Sequence, residues 1–169
     1  IDKVYRDGPV SAGRYREFWQ CDVDVVGSTS MKADAEMLAM ASRFFSSLQL
    51  PVKIAVNNRK LLHGLLVSQG VQHISAVMTI LDKLDKQPRV ELEQELVNIG
   101  ESTDLFVLFD RMTEITDNMQ RLDFCVQYLS TEEGKQGLDE MRELLTSLAH
   151  YQCDVTFTPL IIRGLSYTQ

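Results

Sequence analysis

The hydrophobic pattern of this chain changes period twice, and that constrains its fold more than any other feature. From Arg14 to Val25 it alternates with period two. One strand face carries Arg14, Arg16, Phe18, Gln20, Asp22 and Asp24, and the other carries Tyr15, Glu17, Trp19, Cys21, Val23 and Val25. Between Asn57 and Gln152 the apolar residues recur at helical spacing, as in Leu61, Leu62, Leu65 and Leu66. Cys153 to Phe157 alternates again. A sheet whose strands flank a long helical run is an α+β arrangement. It divides into 1–56 with 153–169 as a partial sheet core, and 57–152 as an inserted all-α bundle.

The first face of the early strand is chemically unusual. Arg6, Arg14 and Arg16 offer rigid donor forks suited to phosphate or carboxylate. Gln20, Asp22 and Asp24 accept hydrogen bonds from an ammonium or an imidazole N–H. Gln20 and Asp22 stand two residues apart, roughly 6–7 Å at the strand rise, which matches the two ends of an amino acid. A solvated face whose charges pair across strands accounts for the same pattern. The second face is mostly apolar, and the alternation predicts that Trp19 and Val23 are buried.

The elements follow from punctuation. Residues 3–6 and 14–26 read as an antiparallel hairpin around a loop holding Gly8, Pro9 and Gly13. Met37, Ala41, Phe44, Phe45 and Leu48 mark a helix ended by Pro51, followed by a strand over 52–56. Five helices follow. The first stops at Gly70, the second is closed by Pro88 and the third runs to Gly100. A long fourth runs from Leu105 to Val126, and a fifth starts at Ser130 with Glu133 as a capping box. The strand over 153–157 returns to the sheet, with Pro159 limiting it to an edge or a bulge.

Composition is that of an ordinary globular chain, 44% hydrophobic and 24% charged over 169 residues. No apolar run reaches membrane-spanning length. Cys21, Cys125 and Cys153 are odd in number, lack metal-ligand spacing and read as reduced thiols of a cytosolic protein. The scattered His63, His73 and His150 read as surface or core residues, and no metal site is expected. The net charge of −7 lies wholly in 57–152, where 9 Lys and Arg face 16 Asp and Glu. Such a module suits non-specific RNA binding poorly. Lys83, Lys86 and Arg89 are its best candidates for a basic face toward RNA, and solvated helix charges are the alternative.

Three segments carry a family resemblance. Arg6, with Gly13-Arg14-Tyr15-Arg16-Glu17-Phe18-x-Gln20-Cys21-Asp22-x-Asp24-x-x-Gly27, resembles the second signature motif of the histidine–tRNA ligases, a class II aminoacyl-tRNA synthetase family. Val56-Asn57-Asn58-Arg59-Lys60-Leu61-Leu62 is similar to that family's next strand-to-helix junction. Ile162-Arg163-Gly164-Leu165-Ser166-Tyr167 resembles its histidine-specific Arg-Gly-Leu-x-Tyr-Tyr signature. The departures are Gly8 where many members are acidic, Asp24 where many carry glutamate, and Thr168 in place of the second tyrosine.

The resemblance implies a part of a class II antiparallel sheet with flanking helices. It implies ATP, entering with Mg2+, histidine and tRNA(His) as partners of a cytoplasmic homodimeric parent. It assigns Arg6 and Arg163 to the α-phosphate as catalytic residues, and Arg14 and Arg16 to ATP. Gln20 and Asp24 fall to the histidine, and Tyr167 lines the imidazole pocket. The family's first motif and its later Gly-Arg-Tyr-Asp and Gly-x-Glu-Arg signatures have no counterpart here. A central catalytic fragment, inactive alone, is therefore expected. A synthetase-like regulatory protein that senses histidine, of the ATP phosphoribosyltransferase regulatory subunit type, is the alternative. A structural fragment without catalysis is a third reading.

Overall fold

The computed structural model describes residues 1–84 and 86–161. Eleven elements follow one another there. They are β1 (Asp2–Tyr5), β2 (Glu17–Gln20), α1 (Met31–Ser47), β3 (Ile54–Val56), α2 (Arg59–Ser68), α3 (Ile74–Leu81), α4 (Arg89–Asn98), α5 (Asp104–Glu114), α6 (Asn118–Val126), α7 (Glu132–Leu148) and β4 (Val155–Phe157). The strands form two small sheets. β1 pairs antiparallel with β2, and β3 pairs in parallel with β4, Ile54 opposite Val155 and Val56 opposite Phe157. The antiparallel pairing expected of a larger sheet is therefore confined to the first hairpin among the described residues. The return strand joins β3 in parallel because the helices between them form a crossover.

Helix starts are set by polar caps. Asn58 accepts from the Leu61 N–H at the head of α2, Asp117 from Gln120 at α6 and Thr131 from Gly134 at α7. The α7 cap is thus Thr131 and not Ser130. Glu133 does not close a capping box but pairs with His63 at 2.9 Å. α2 ends on Gly70 at φ +79°, with the Val71 N–H reaching back to the Leu66 carbonyl.

The expected long fourth helix is two helices. Ile115 turns extended, with ψ 115°, and Asp117 caps a new start. Met119 and Val126 consequently face outward, 40% and 47% exposed.

One apolar core joins α2 to α7. It contains Leu61, Leu65 and Leu66 of α2, Leu92 and Leu96 of α4, Phe106, Phe109 and Met112 of α5, Leu122 of α6, and Leu138, Met141 and Leu144 of α7. Ala35 of α1 and Phe157 of β4 belong to the same core. α1 packs along α7, yet its apolar end is open, with Phe44 and Leu48 about half exposed.

Candidate functional site

The first hairpin is built around its loop. The ladder continues past β1 through the Arg6 N–H to the Arg16 carbonyl at 2.9 Å. Ser11 and Arg14 exchange two backbone hydrogen bonds, with Gly13 at φ +74° between them. Arg6 Nε donates to the Tyr15 carbonyl at 3.2 Å, and its guanidinium lies 4.6 Å from the centre of the Phe18 ring. Arg16 Nε reaches the Gly8 carbonyl at 3.4 Å. Arg16, Phe18 and Gln20 share one face, as the alternation predicts, and the β1–β2 register adds Arg6 to it. Further along, Gln20 donates its amide to Asp22 Oδ1 at 2.5 Å, and Asp24 is exposed.

The electrostatics of this loop differ from those of the helices. Among the described residues Arg6, Arg14 and Arg16 have no carboxylate partner. In the helical span Lys60, Lys83, Lys86, Arg89, Lys135 and Arg142 have one, whereas Arg111 is held by Tyr128 and Phe124 and Arg121 by backbone carbonyls. Three unneutralised guanidinium groups around one loop attract an anion. Lys3 does pair with Glu17 across the strands at 2.8 Å, and that bond, with one from Tyr5, holds the Glu17 carboxyl below its usual range.

Two expectations need correction. The second strand does not run to residue 26; it ends at Gln20, so Asp22 and Asp24 lie beyond regular structure. The apolar face is not buried either, since Trp19 is 66% exposed and Val23 57%. A two-stranded ribbon has no second layer to bury a face, and its strands extend only as far as they pair. Arg163 and Tyr167 lie outside the described residues.

The candidate RNA-facing cations are all engaged. Lys83 pairs with Glu95 at 2.7 Å and Lys86 with Asp82 at 3.2 Å. Arg89 bridges Glu93 at 3.0 Å and Asp110 at 2.7 Å and stacks on Phe106. The Asp110 carboxylate, which outweighs burial, raises the Arg89 pKa above its ordinary value. A cleft of about 670 Å³ lies apart from the hairpin, lined by Glu36, Met40, Arg43, His150, Tyr151 and Cys153.

Sequence reasoning missed the residues that hold β4. Asn118 donates Nδ2–H to the Val155 carbonyl at 2.8 Å and accepts the Phe157 N–H at 2.9 Å, so its side-chain amide occupies the edge of β4 as another strand would. Arg121 is 6% exposed and donates Nε to Met112 and Ile115 carbonyls at 2.9 Å, while its other nitrogens reach Ile115 and Phe157. Burial lowers its pKa, and the nearby Cys125 acts against that. The one available signal was its place beside Leu122 and one turn from Cys125, in the apolar stripe of α6.

An α/β scaffold that presents an arginine loop on one hairpin and carries a helical bundle between two strands is the class these observations define. The family profile described as Histidyl-tRNA synthetase matches residues 1–169. The chain belongs to the histidyl-tRNA synthetase family. It is 40% identical to histidine–tRNA ligase 2 of Shouchella clausii over 170 residues, covering 98% of this chain and 40% of that protein. It is 35% identical to a histidine–tRNA ligase 1 of Bacillus cereus, again over 98% of this chain and 40% of the relative. A histidine–tRNA ligase of Xylella fastidiosa is 36% identical over 189 residues, with 99% and 40% covered. The chain thus spans about 40% of the length of these curated relatives.

A solved structure described as an ATP phosphoribosyltransferase regulatory subunit/histidyl-tRNA synthetase from Bacillus halodurans C shares the fold. Its TM-score is 0.67 at 20% identity, with 83% of this chain and 38% of that one covered. Among the described residues no helix is long and apolar enough to cross a membrane.

Proposed function

We propose that this chain is the part of a histidine–tRNA ligase that holds histidine and ATP during amino-acid activation. One observation carries the reading: Arg6, Arg14 and Arg16 surround one loop without carboxylate partners among the described residues, while Gln20, Asp22 and Asp24 follow on the same strand and its extension. A ligand lying along this face would meet cationic donors at one end and acceptors at the other, as an aminoacyl-adenylate requires.

In this proposal a carboxylate oxygen of histidine attacks the α-phosphorus of ATP. The bond to the bridging oxygen breaks, and pyrophosphate leaves with its Mg2+. Arg6 and Arg163 offset charge that builds on the α-phosphate, and Arg14 and Arg16 hold the rest of ATP. Gln20 and Asp24 orient the amino acid, with Tyr167 against its imidazole. Transfer to the terminal ribose of tRNA(His) then belongs to the whole class II enzyme, read as a cytoplasmic homodimer. Lys83, Lys86 and Arg89 would reach tRNA phosphates only by exchanging their present carboxylate partners.

Isothermal titration of the 169-residue chain with a non-hydrolysable histidyl-adenylate analogue, with histidine and with ATP tests the reading. Binding of the analogue that weakens about tenfold or more in Arg6→Ala supports it. Binding of histidine alone, indifferent to Arg6→Ala, supports instead the reading as a synthetase-like regulatory protein that senses histidine. Binding of neither contradicts both.

A further inference from the structure

Two apolar faces of this chain stand open on either side of one short linker. On β2 and its extension, Trp19, Cys21, Val23 and Val25 fall on one face by alternation, and all four are exposed. On α1, Met40, Phe44 and Leu48 recur every fourth residue and are exposed as well. The opposite side of α1, at Ala35 and Ser42, is buried, and α1 packs along α7. Among the described residues no hydrogen bond or ion pair joins residues 1–26 to residues 31–161.

The two faces match in spacing. Residues 27–30 link them, with a bend at Gly27, φ +85°, and Ser30 capping α1. Counted back from Gly27, extended chain places Val23 about 13 Å, Cys21 about 20 Å and Trp19 about 26 Å away. Counted forward from Met31, the helix places Met40 about 14 Å, Phe44 about 20 Å and Leu48 about 26 Å away. Every second strand residue thus keeps step with every fourth helical residue. A two-stranded hairpin is marginal alone in water and gains lasting order by packing on a helix.

We propose that the hairpin is a strap that folds back on α1, seating Val23, Cys21 and Trp19 over Met40, Phe44 and Leu48. The structure describes the open arrangement. Closing continues the strand geometry of β2 through Val25. Gln20, Asp22 and Asp24 then share the face turned away from the helix, and an apolar contact behind them sets the acceptor end of the candidate site. That consequence rests on the function proposed above. The closure itself does not, and its test needs no ligand.

The test uses the full 169-residue chain, in which Trp19 is the only tryptophan. Leu48→Asp, at a half-exposed position, is expected to raise iodide quenching of Trp19 about threefold and to leave the far-UV circular dichroism unchanged. Open and closed arrangements interconvert, so Cys21 reacts fast in the native chain and about fivefold faster in Leu48→Asp. A cross-link gives the register. With Cys21 and Cys153 changed to serine, Val23→Cys with Met40→Cys should form an intrachain disulfide at least about tenfold faster than Val23→Cys with Gln136→Cys on the exposed face of α7.

Equal cross-linking rates for the two pairs, or Trp19 quenching that does not respond to Leu48→Asp, would overturn the proposal. So would disulfides formed between chains instead of within one, which would make a second copy the occupant of the α1 face. A chain that closes as described but binds no histidyl-adenylate analogue refutes the proposed function and leaves the strap standing.

Discussion

Gly64 on α2 and Gly134 on α7 meet backbone to backbone. A Cβ built on Gly64 would lie 2.8 Å from the Gly134 nitrogen and 2.8 Å from Thr131 Oγ1. Three residues on, a Cβ at Gly137 would meet Asn58 Oδ1 at 2.7 Å and Leu61 Cα at 2.9 Å. The two helices cross closely because neither carries a side chain at these points, and the caps Asn58 and Thr131 sit in the same contact.

Gly64→Ala should therefore destabilise the chain despite the better helix propensity of alanine. Overpacking against backbone costs about 1–3 kcal/mol, while alanine returns at most about 1 kcal/mol. A fall in Tm of roughly 5 °C is expected by calorimetry, whereas Gln136→Ala on the exposed face of α7 should change it little.

These contacts show where sequence reading succeeds and where it stops. The stripe Leu61, Leu62, Leu65 and Leu66 is legible because helical period depends only on the local chain, and all four are buried. The break between α5 and α6 was hidden because Leu108, Met112, Met119 and Leu122 keep a helical spacing across it. Only the Asp117 cap marks the new start. The α7 start slipped by one residue because Ser130 and Thr131 are both competent caps. Strand lengths were not legible, since β2 ends where β1 stops pairing and not where alternation stops. In the candidate site, the face shared by Arg16, Phe18 and Gln20 could be read from alternation, while Arg6 joins it only through the β1–β2 register. Arg121 and Asn118 could not, because the backbone groups of Val155 and Phe157 that they hold lie 36 to 39 residues away in the chain.

Acid should weaken the fold through Glu101. Burial pushes its carboxyl pKa up, but the N–H groups of His73 and Gln72 at 2.7 and 2.8 Å and the His73 ring outweigh that and hold it below its usual value. A depressed folded pKa means stability that is fully present above the unfolded value near 4.5 and is lost as pH falls through the folded one. Urea melts from about pH 7 to pH 3 should show this decline. Glu101→Gln should start less stable at neutral pH and lose less on acidification; parallel curves for the two proteins would refute the assignment.

The three thiols should separate by reactivity. Burial pushes the Cys125 thiol up to about 12, and the opposing charge of Arg121 does not reverse it. Cys21 is exposed on the hairpin. With a disulfide reagent at about pH 8, Cys21 is expected to react fast and Cys125 only after unfolding. Cys21→Ser should remove the fastest phase and leave the half-buried Cys153 to react more slowly; labelling of Cys125 itself in the folded chain would contradict its burial.

Backbone NMR of the 169-residue chain, titrated with the histidyl-adenylate analogue, tests the central claim most directly. The account predicts chemical-shift changes centred on Arg6, Arg14, Arg16, Gln20 and Asp24. Changes centred on the cleft of Glu36, Arg43, His150 and Tyr151, with the hairpin silent, would contradict it.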